Sequence, residues 1–251
     1  MKKILLNAQF YVLLALFSLL AIPVLTLTVA VGSLFVSRRS TMRRFRRAIS
    51  WYGWVVVHVL PFPWIRVRCR ELAIDPKQGP CLFVCNHRSA SDAFLLSVLP
   101  VEGVQVVNIW PFRLPVFGFF GPRAGYLSVR EMPVDAFFER AGALLRDGVS
   151  IGAFPEGTRS RDGKVGPFHG TVFRLALQTR CTLVPLCIVG NERRPPKGSL
   201  ILDPGEIVIR QLPPIPWEQY KDCTAFQLKT KIRDAIIVAL DEMEGRALRT
   251  F

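Results

Sequence analysis

Residues 81–99 read CLFVCNHRSASDAFLLSVL. Five consecutive apolar residues suit a strand buried on both faces, and the polar stretch after them runs into SDAFLLSVL, whose apolar positions follow a helical rhythm. Strand, polar turn and helix in that order form the repeating unit of an α/β domain, and its chemistry collects where the strand ends. Working outward, VQVVNI (104–109), YLSV (126–129), VSIGAF (149–154), TLVPLCIV (182–189) and EIVIRQL (206–212) predict further strands. Helices fill the gaps. VDAFFERAGALLRDG places Phe137, Phe138, Ala141, Leu144 and Leu145 at helical spacing and ends at Gly148 as a C-cap. TVFRLALQ and AFQLKTKIRDAIIVAL are also amphipathic, the latter a closing helix, while QLPPIPW and NERRPPKG read as Pro-rich turns. No internal repeat is visible, and the chain beyond Ile65 is long enough for one well-buried core.

The N-terminal part is different. Met1 to Arg70 carries eleven basic residues and no Asp or Glu, so most of the net charge of +14 sits there and the rest of the chain is nearly balanced. Because that excess adjoins an apolar N-terminus, it points to an anionic membrane surface and not to nucleic acid. Ile4 to Ser37 is a run of 34 uncharged residues, too long for the apolar core of a signal peptide. As one straight helix it would reach about 51 Å, against a hydrocarbon core of roughly 30 Å. Pro23 near its middle predicts a bend, and Lys2, Lys3 and the six arginines of RRSTMRRFRR flank it on both sides. The positive-inside tendency then favours both ends on the cytoplasmic face, with a tilted single span as the alternative. ISWYGWVVVHVLPFPW predicts a second, interfacial helix over about 48–60, with His58 as a packed side chain. The organisation expected is thus 1–65 for membrane-associated helices and 66–251 for the α/β domain.

The six cysteines, at 69, 81, 85, 181, 187 and 223, lie mostly within apolar runs and show no zinc-ligand spacing. Reduced, buried thiols are expected, with neither metal nor disulfide.

The chain has three histidines, and one of them, His87, stands five residues before Asp92. In a regular helix that separation turns two side chains about 140° apart, so contact requires His87 in the turn and Asp92 in the first helical turn. A carboxylate on one imidazole nitrogen fixes the tautomer and leaves the other free as a general base. FPEGTRSRDGK (154–164) leaves another strand end and offers Gly157 for close backbone approach, with Arg159, Arg161 and Lys164 behind it. Arginine forks suit phosphate, and Glu156 is expected to hold Arg159 or to bond a substrate hydroxyl. Together the two stretches describe a phosphate ester bearing a free hydroxyl, presented to His87.

NHRSASD carries a His-x4-Asp motif and FPEGTRS a second signature block, and with them the chain resembles the glycerolipid acyltransferases, specifically the 1-acylglycerol-3-phosphate (lysophosphatidic acid) acyltransferases. WPFRLPVFGFFGPRAGYLSVR resembles the family block that ends in a substrate-binding arginine, here Arg130, although Val129 stands where the family often has an acidic residue. LVPLCIVGNERRPPKG resembles the block containing Val184 and Pro185. The likeness covers roughly residues 75–215. It implies a mixed sheet flanked by helices with an N-terminal membrane-anchoring helical motif. It implies an enzyme that moves a fatty acyl group from acyl-CoA or acyl carrier protein to the free hydroxyl of 1-acylglycerol-3-phosphate, giving phosphatidic acid in phospholipid biosynthesis. No cofactor is implied beyond that thioester. His87 and Asp92 become the catalytic pair, and Arg130, Glu156, Gly157, Thr158 and Arg159 the acceptor-binding set. The aromatic loop at 110–120 is read as lining an acyl channel or as packed. Acylation of another lyso-lipid or of glycerol-3-phosphate, and a non-catalytic lipid-binding protein, stay open as alternatives. GVSIG (148–152) matches the G-x-S-x-G esterase pattern, but Ser150 begins a strand and does not sit on a strand-to-helix elbow.

Overall fold

The computed structural model describes residues 1–72, 79–108, 113, 115–160 and 162–247. Its centre is one seven-stranded sheet built from β1 (Ile65–Arg70), β2 (Cys81–Cys85), β3 (Gly103–Val107), β4 (Leu127–Ser128), β5 (Ser150–Ala153), β6 (Thr182–Val189) and β7 (Gly205–Gln211), in the order β1-β7-β6-β2-β5-β3-β4. β2 runs parallel to both β5 and β6, and β3 parallel to β4 and β5, whereas β6 and β7 are antiparallel. The sheet is therefore mixed, as the family resemblance implied. Every strand from β2 to β6 ends at the same edge, so the segments after them converge there.

β2 explains how one strand organises two cores. Its alternate residues Leu82 and Val84 face a layer formed by α5 (Val134–Arg146), α6 (Thr171–Thr179) and α7 (Ala225–Ala247), where Phe137, Phe173, Leu228 and Ile232 are almost wholly buried. Cys81, Phe83 and Cys85 face the opposite side with Val184, Leu186 and Ile207. The helices on that side are α1 (Lys2–Gly32) and α2 (Arg38–His58), which bury Leu6, Val55, Val56 and Val57 against the sheet. The segment expected as membrane-associated helices thus also supplies a layer of the fold. The two helices form an antiparallel hairpin: Phe17 stacks on Tyr52 with ring centroids 5.2 Å apart, and the Ser18 and Tyr52 hydroxyls are 2.7 Å apart.

Several expectations change in detail. The six arginines and the 48–60 segment are one helix, started by Ser37, whose hydroxyl accepts from the Ser40 N–H. Arg46 is held there by Glu102 at 2.7 Å and by the Ala124 carbonyl at 2.8 Å, so the basic run has partners on the domain itself. α1 continues through Pro23 without a break. It is the one helix among the described residues long and apolar enough to cross a membrane, and Leu19, Leu20, Val24 and Leu27 stand exposed along it. His58 is packed, stacked on Trp54. Of the aromatic stretch 110–120, residues 115–120 are not a loop but open α4 (Pro115–Ala124), with Pro115 at a first-turn position that tolerates it. Positions 109–112 and 114 lie outside the described residues, as does Arg161. The helix after the His-Asp turn is short, α3 (Asp92–Leu95) followed by a 3-10 turn at Leu96–Val98. Gly148 lies just past α5 in the left-handed region, at φ 83°, where a helix-ending glycine belongs. β1 is a strand beyond those predicted.

Candidate active site

His87 and Asp92 meet as the spacing required. The ring Nδ1 lies 2.8 Å from Asp92 Oδ2, with His87 in the turn after β2 and Asp92 opening α3. Asp92 is fully buried. Its Oδ2 also accepts from the backbone N–H groups of Arg88 at 2.6 Å and Ser89 at 2.7 Å, and its Oδ1 from the Asn191 amide. These partners are donors and a carboxylate only accepts, so Nδ1 carries its hydrogen toward Asp92 and Nε2 is left with a free lone pair. Asn191, itself fully buried, follows β6, and its Oδ1 accepts from Ser91 Oγ at 3.1 Å.

The backbone of His87 is fixed from the β5 side. Its N–H donates to Glu156 Oε1 at 2.8 Å, and its carbonyl accepts from the Ser160 N–H at 2.8 Å. The second Glu156 oxygen accepts from the Gly166 N–H at 2.8 Å. Glu156 is buried with one backbone donor on each oxygen, and its described hydrogen bonds include none to Arg159. Burial pushes its carboxyl above the usual carboxylate range, while hydrogen bonds from Gly166 and His87 pull the other way. Phe154 lies flat on the His87 imidazole with centroids 4.5 Å apart. Phe154, Asn191 and Lys197 are site residues that the sequence did not single out.

One cavity of about 1120 Å³ gathers the remaining candidates. His87, Arg130, Gly157, Thr158 and Arg159 all line it, so the acceptor set reaches one space, with Glu156 behind the wall. Gly157 has φ 67°, which favours glycine, and a Cβ there would lie tight against the His169 ring at 3.1 Å. Lys197 adds a cation, its amine donating to Thr158 Oγ1 and to the Arg159 carbonyl, both at 2.9 Å. No Asp or Glu is among the described residues lining the cavity, while Arg130, Arg159 and Lys197 are. Away from these cations the walls turn apolar, with Phe10, Leu14 and Ile22 of α1 and Ile49 and Val56 of α2. Val184 and Pro185 lie buried inside β6 and serve the core.

Ser150 is buried at the start of β5, and its hydroxyl accepts from the Cys81 N–H at 3.1 Å, at the opposite end of the strand from His87. That position denies it a nucleophile's exposure. All six cysteines are free thiols, and burial pushes Cys187 up to about 12.

An imidazole backed by a buried carboxylate, at the carboxyl edge of an α/β sheet and between cations and an apolar cavity, is an arrangement that can take a proton from a molecule that is anionic at one end and apolar at the other. Residues 66–189, just under half of the chain, match the model of the family described as Acyltransferase. The chain is similar to a chloroplastic 1-acyl-sn-glycerol-3-phosphate acyltransferase of Brassica napus, 31% identical over 159 residues that make up 61% of this chain and 46% of that protein. A 1-acyl-sn-glycerol-3-phosphate acyltransferase of Cocos nucifera is 27% identical over 231 residues, 80% of this chain and 72% of that protein. The chain thus spans less than half of the Brassica relative and about seven-tenths of the Cocos one. The crystal structure of the 1-acyl-sn-glycerophosphate (LPA) acyltransferase PlsC of Thermotoga maritima has the same fold, with a TM-score of 0.79 at 22% identity over 97% of this chain and 98% of that one.

Proposed function

We propose that this protein transfers a fatty acyl group from an acyl thioester, acyl-CoA or acyl carrier protein, to the free hydroxyl of 1-acylglycerol-3-phosphate, forming phosphatidic acid. The observation that carries the reading is the His87–Asp92 pair, 2.8 Å apart, opening on a cavity that is cationic on one side and apolar on the other. An acceptor with one phosphate and one acyl chain matches both halves of that space. Its phosphate pairs with Arg159 and Arg130, which brings the hydroxyl to His87 Nε2. As the hydroxyl oxygen attacks the thioester carbonyl, Nε2 takes its proton, and Asp92 stabilises the imidazolium. The tetrahedral intermediate collapses, the C–S bond breaks, and the imidazolium returns the proton to the departing thiolate. The new ester forms directly from donor to acceptor, with no acyl group held by the protein.

The exposed apolar face of α1 and the arginines of α2 set the protein on the cytoplasmic face of an anionic membrane, the source of its acceptor. An acceptor panel tests the reading. Purified protein given lysophosphatidic acid, glycerol-3-phosphate and lyso-aminolipids, with one acyl-CoA, is expected to acylate lysophosphatidic acid with the highest kcat/KM. Arg159→Lys is expected to raise the acceptor KM more than the thioester KM, because it keeps the charge and loses the fork. Preference for a lyso-lipid lacking the phosphomonoester refutes the acceptor assignment.

A further inference from the structure

Beside the catalytic cavity lies a second groove of about 620 Å³. Two loops wall it, around Arg159 after β5 and around Glu192 and Lys197 after β6, with Arg88 from the turn after β2. It meets the catalytic cavity at Arg159 and Lys197, which line both spaces. Its lining is about evenly polar and apolar, against the mainly apolar cavity under α1 and α2.

Two polar atoms buried in it make no hydrogen bond. Arg88 is 7% exposed; its Nη1 pairs with Glu244 and lies 3.7 Å from Glu192 Oε2. The Arg88 Nε–H and Glu192 Oε2 are each buried without a hydrogen bond. A buried donor and a buried acceptor left open in one groove are what a ligand carrying both kinds of group would satisfy.

We propose that this groove holds the pantetheine arm of the acyl-thioester donor, an inference that rests on the acyl-transfer reading above. The acyl chain of the donor goes with the apolar cavity, so the rest of the molecule leaves the reacting carbonyl by a more polar route, and the groove next to His87 provides one. The arm is a chain of amides and a hydroxyl. One amide carbonyl accepts from Arg88 Nε–H, and one amide N–H donates to Glu192 Oε2. Lys197 and Arg159, at the junction, lie where the two substrates come closest. Arg88 directly follows His87 in the chain, so a filled groove also seats the thioester beside the base.

Calorimetric titration with non-hydrolysable thioethers tests this without turnover. Wild type is expected to bind S-decyl pantetheine about tenfold more tightly than S-decyl N-acetylcysteamine, which shares the alkyl chain and one amide but lacks the rest of the arm. In Glu192→Ala and in Arg88→Gln that advantage should fall to about twofold or less. Glu192 is half-exposed, so its variant remains informative if Arg88→Gln does not fold. Equal affinity of wild type for the two thioethers, or an advantage undiminished in both variants, overturns the proposal. S-decyl coenzyme A and S-decyl acyl carrier protein separate the two sources of the arm: whichever binds more tightly is the carrier, and both should weaken in Glu192→Ala, whereas unchanged affinity of both overturns the groove. Wild type that binds the arm as expected but transfers no acyl group refutes the transfer reading and keeps the groove. Wild type that transfers from pantetheine and N-acetylcysteamine thioesters with equal KM refutes the groove and keeps the reading.

Discussion

The backbone N–H of His87 is held by the carboxylate of Glu156, 2.8 Å away, across the gap between β2 and β5. The second signature block therefore acts on the first: one oxygen of Glu156 fixes the residue that carries the base, and the other fixes Gly166 in the loop that leads to α6. Glu156→Gln turns one of these acceptors into a donor that faces an N–H. A mispaired buried group costs about 1–3 kcal/mol, and a displaced base costs up to about 100-fold in rate. Steady-state kinetics should show kcat falling with the acceptor KM little changed. A rise in acceptor KM alone would return Glu156 to direct substrate binding.

The same residue gives a pH signature. Burial raises its carboxyl above the usual range, so the folded state holds the proton more tightly than the unfolded chain does. The stability linked to this group is then fully present below its unfolded pKa and is lost as pH rises through the raised folded value. Thermal melts of wild type and Glu156→Gln between about pH 4 and about pH 8 read this directly. The margin of wild type over the variant should shrink as pH increases, and a margin that grows instead contradicts the assignment.

Asn191 closes the second oxygen of Asp92. Asn191→Leu keeps the volume but leaves that oxygen and the Ser91 hydroxyl without this partner, which costs about 1–3 kcal/mol at the carboxylate that orients the His87 ring. kcat should fall about tenfold, with thioester and acceptor KM values nearly unchanged. An unaltered kcat would reduce Asn191 to packing.

Both ends of the apolar N-terminal segment are tied to the same domain. Lys3 pairs with Asp203 at 2.6 Å near the start of α1, and Arg39, just after it, donates to the Asp147 carbonyl at 3.1 Å. Single cysteines at Lys2 and Arg39, in a variant without the native six, should both resist a membrane-impermeant thiol reagent until cells are opened. Labelling at Lys2 alone in intact cells would establish a span and overturn the hairpin.

What the sequence disclosed follows from where the information lies. β6 was legible to the residue because TLVPLCIV is buried along nearly its whole length and nothing interrupts it. β1 was not, since IRVRCR carries three arginines and stands at the sheet edge with most of its residues exposed. The His87–Asp92 contact is local and was read from spacing alone. Asn191 was invisible because its partner lies 99 residues away, and Glu156 was assigned to the nearby Arg159 because sequence proximity hid a backbone donor 69 residues distant. The docking of α2 was missed for the same reason, as arginines read as facing a membrane include Arg46, whose partner Glu102 follows α3.

The central claim is that His87 removes the proton from the acceptor hydroxyl. Its most direct measurement is the rate of acyl transfer from acyl-CoA to lysophosphatidic acid by folded His87→Ala protein beside wild type and Ser150→Ala. The account requires His87→Ala to lose on the order of 10² to 10⁴ in kcat, while Ser150→Ala keeps its chemistry with some loss of stability. Near-wild-type turnover by His87→Ala, or activity lost only in Ser150→Ala, would contradict it.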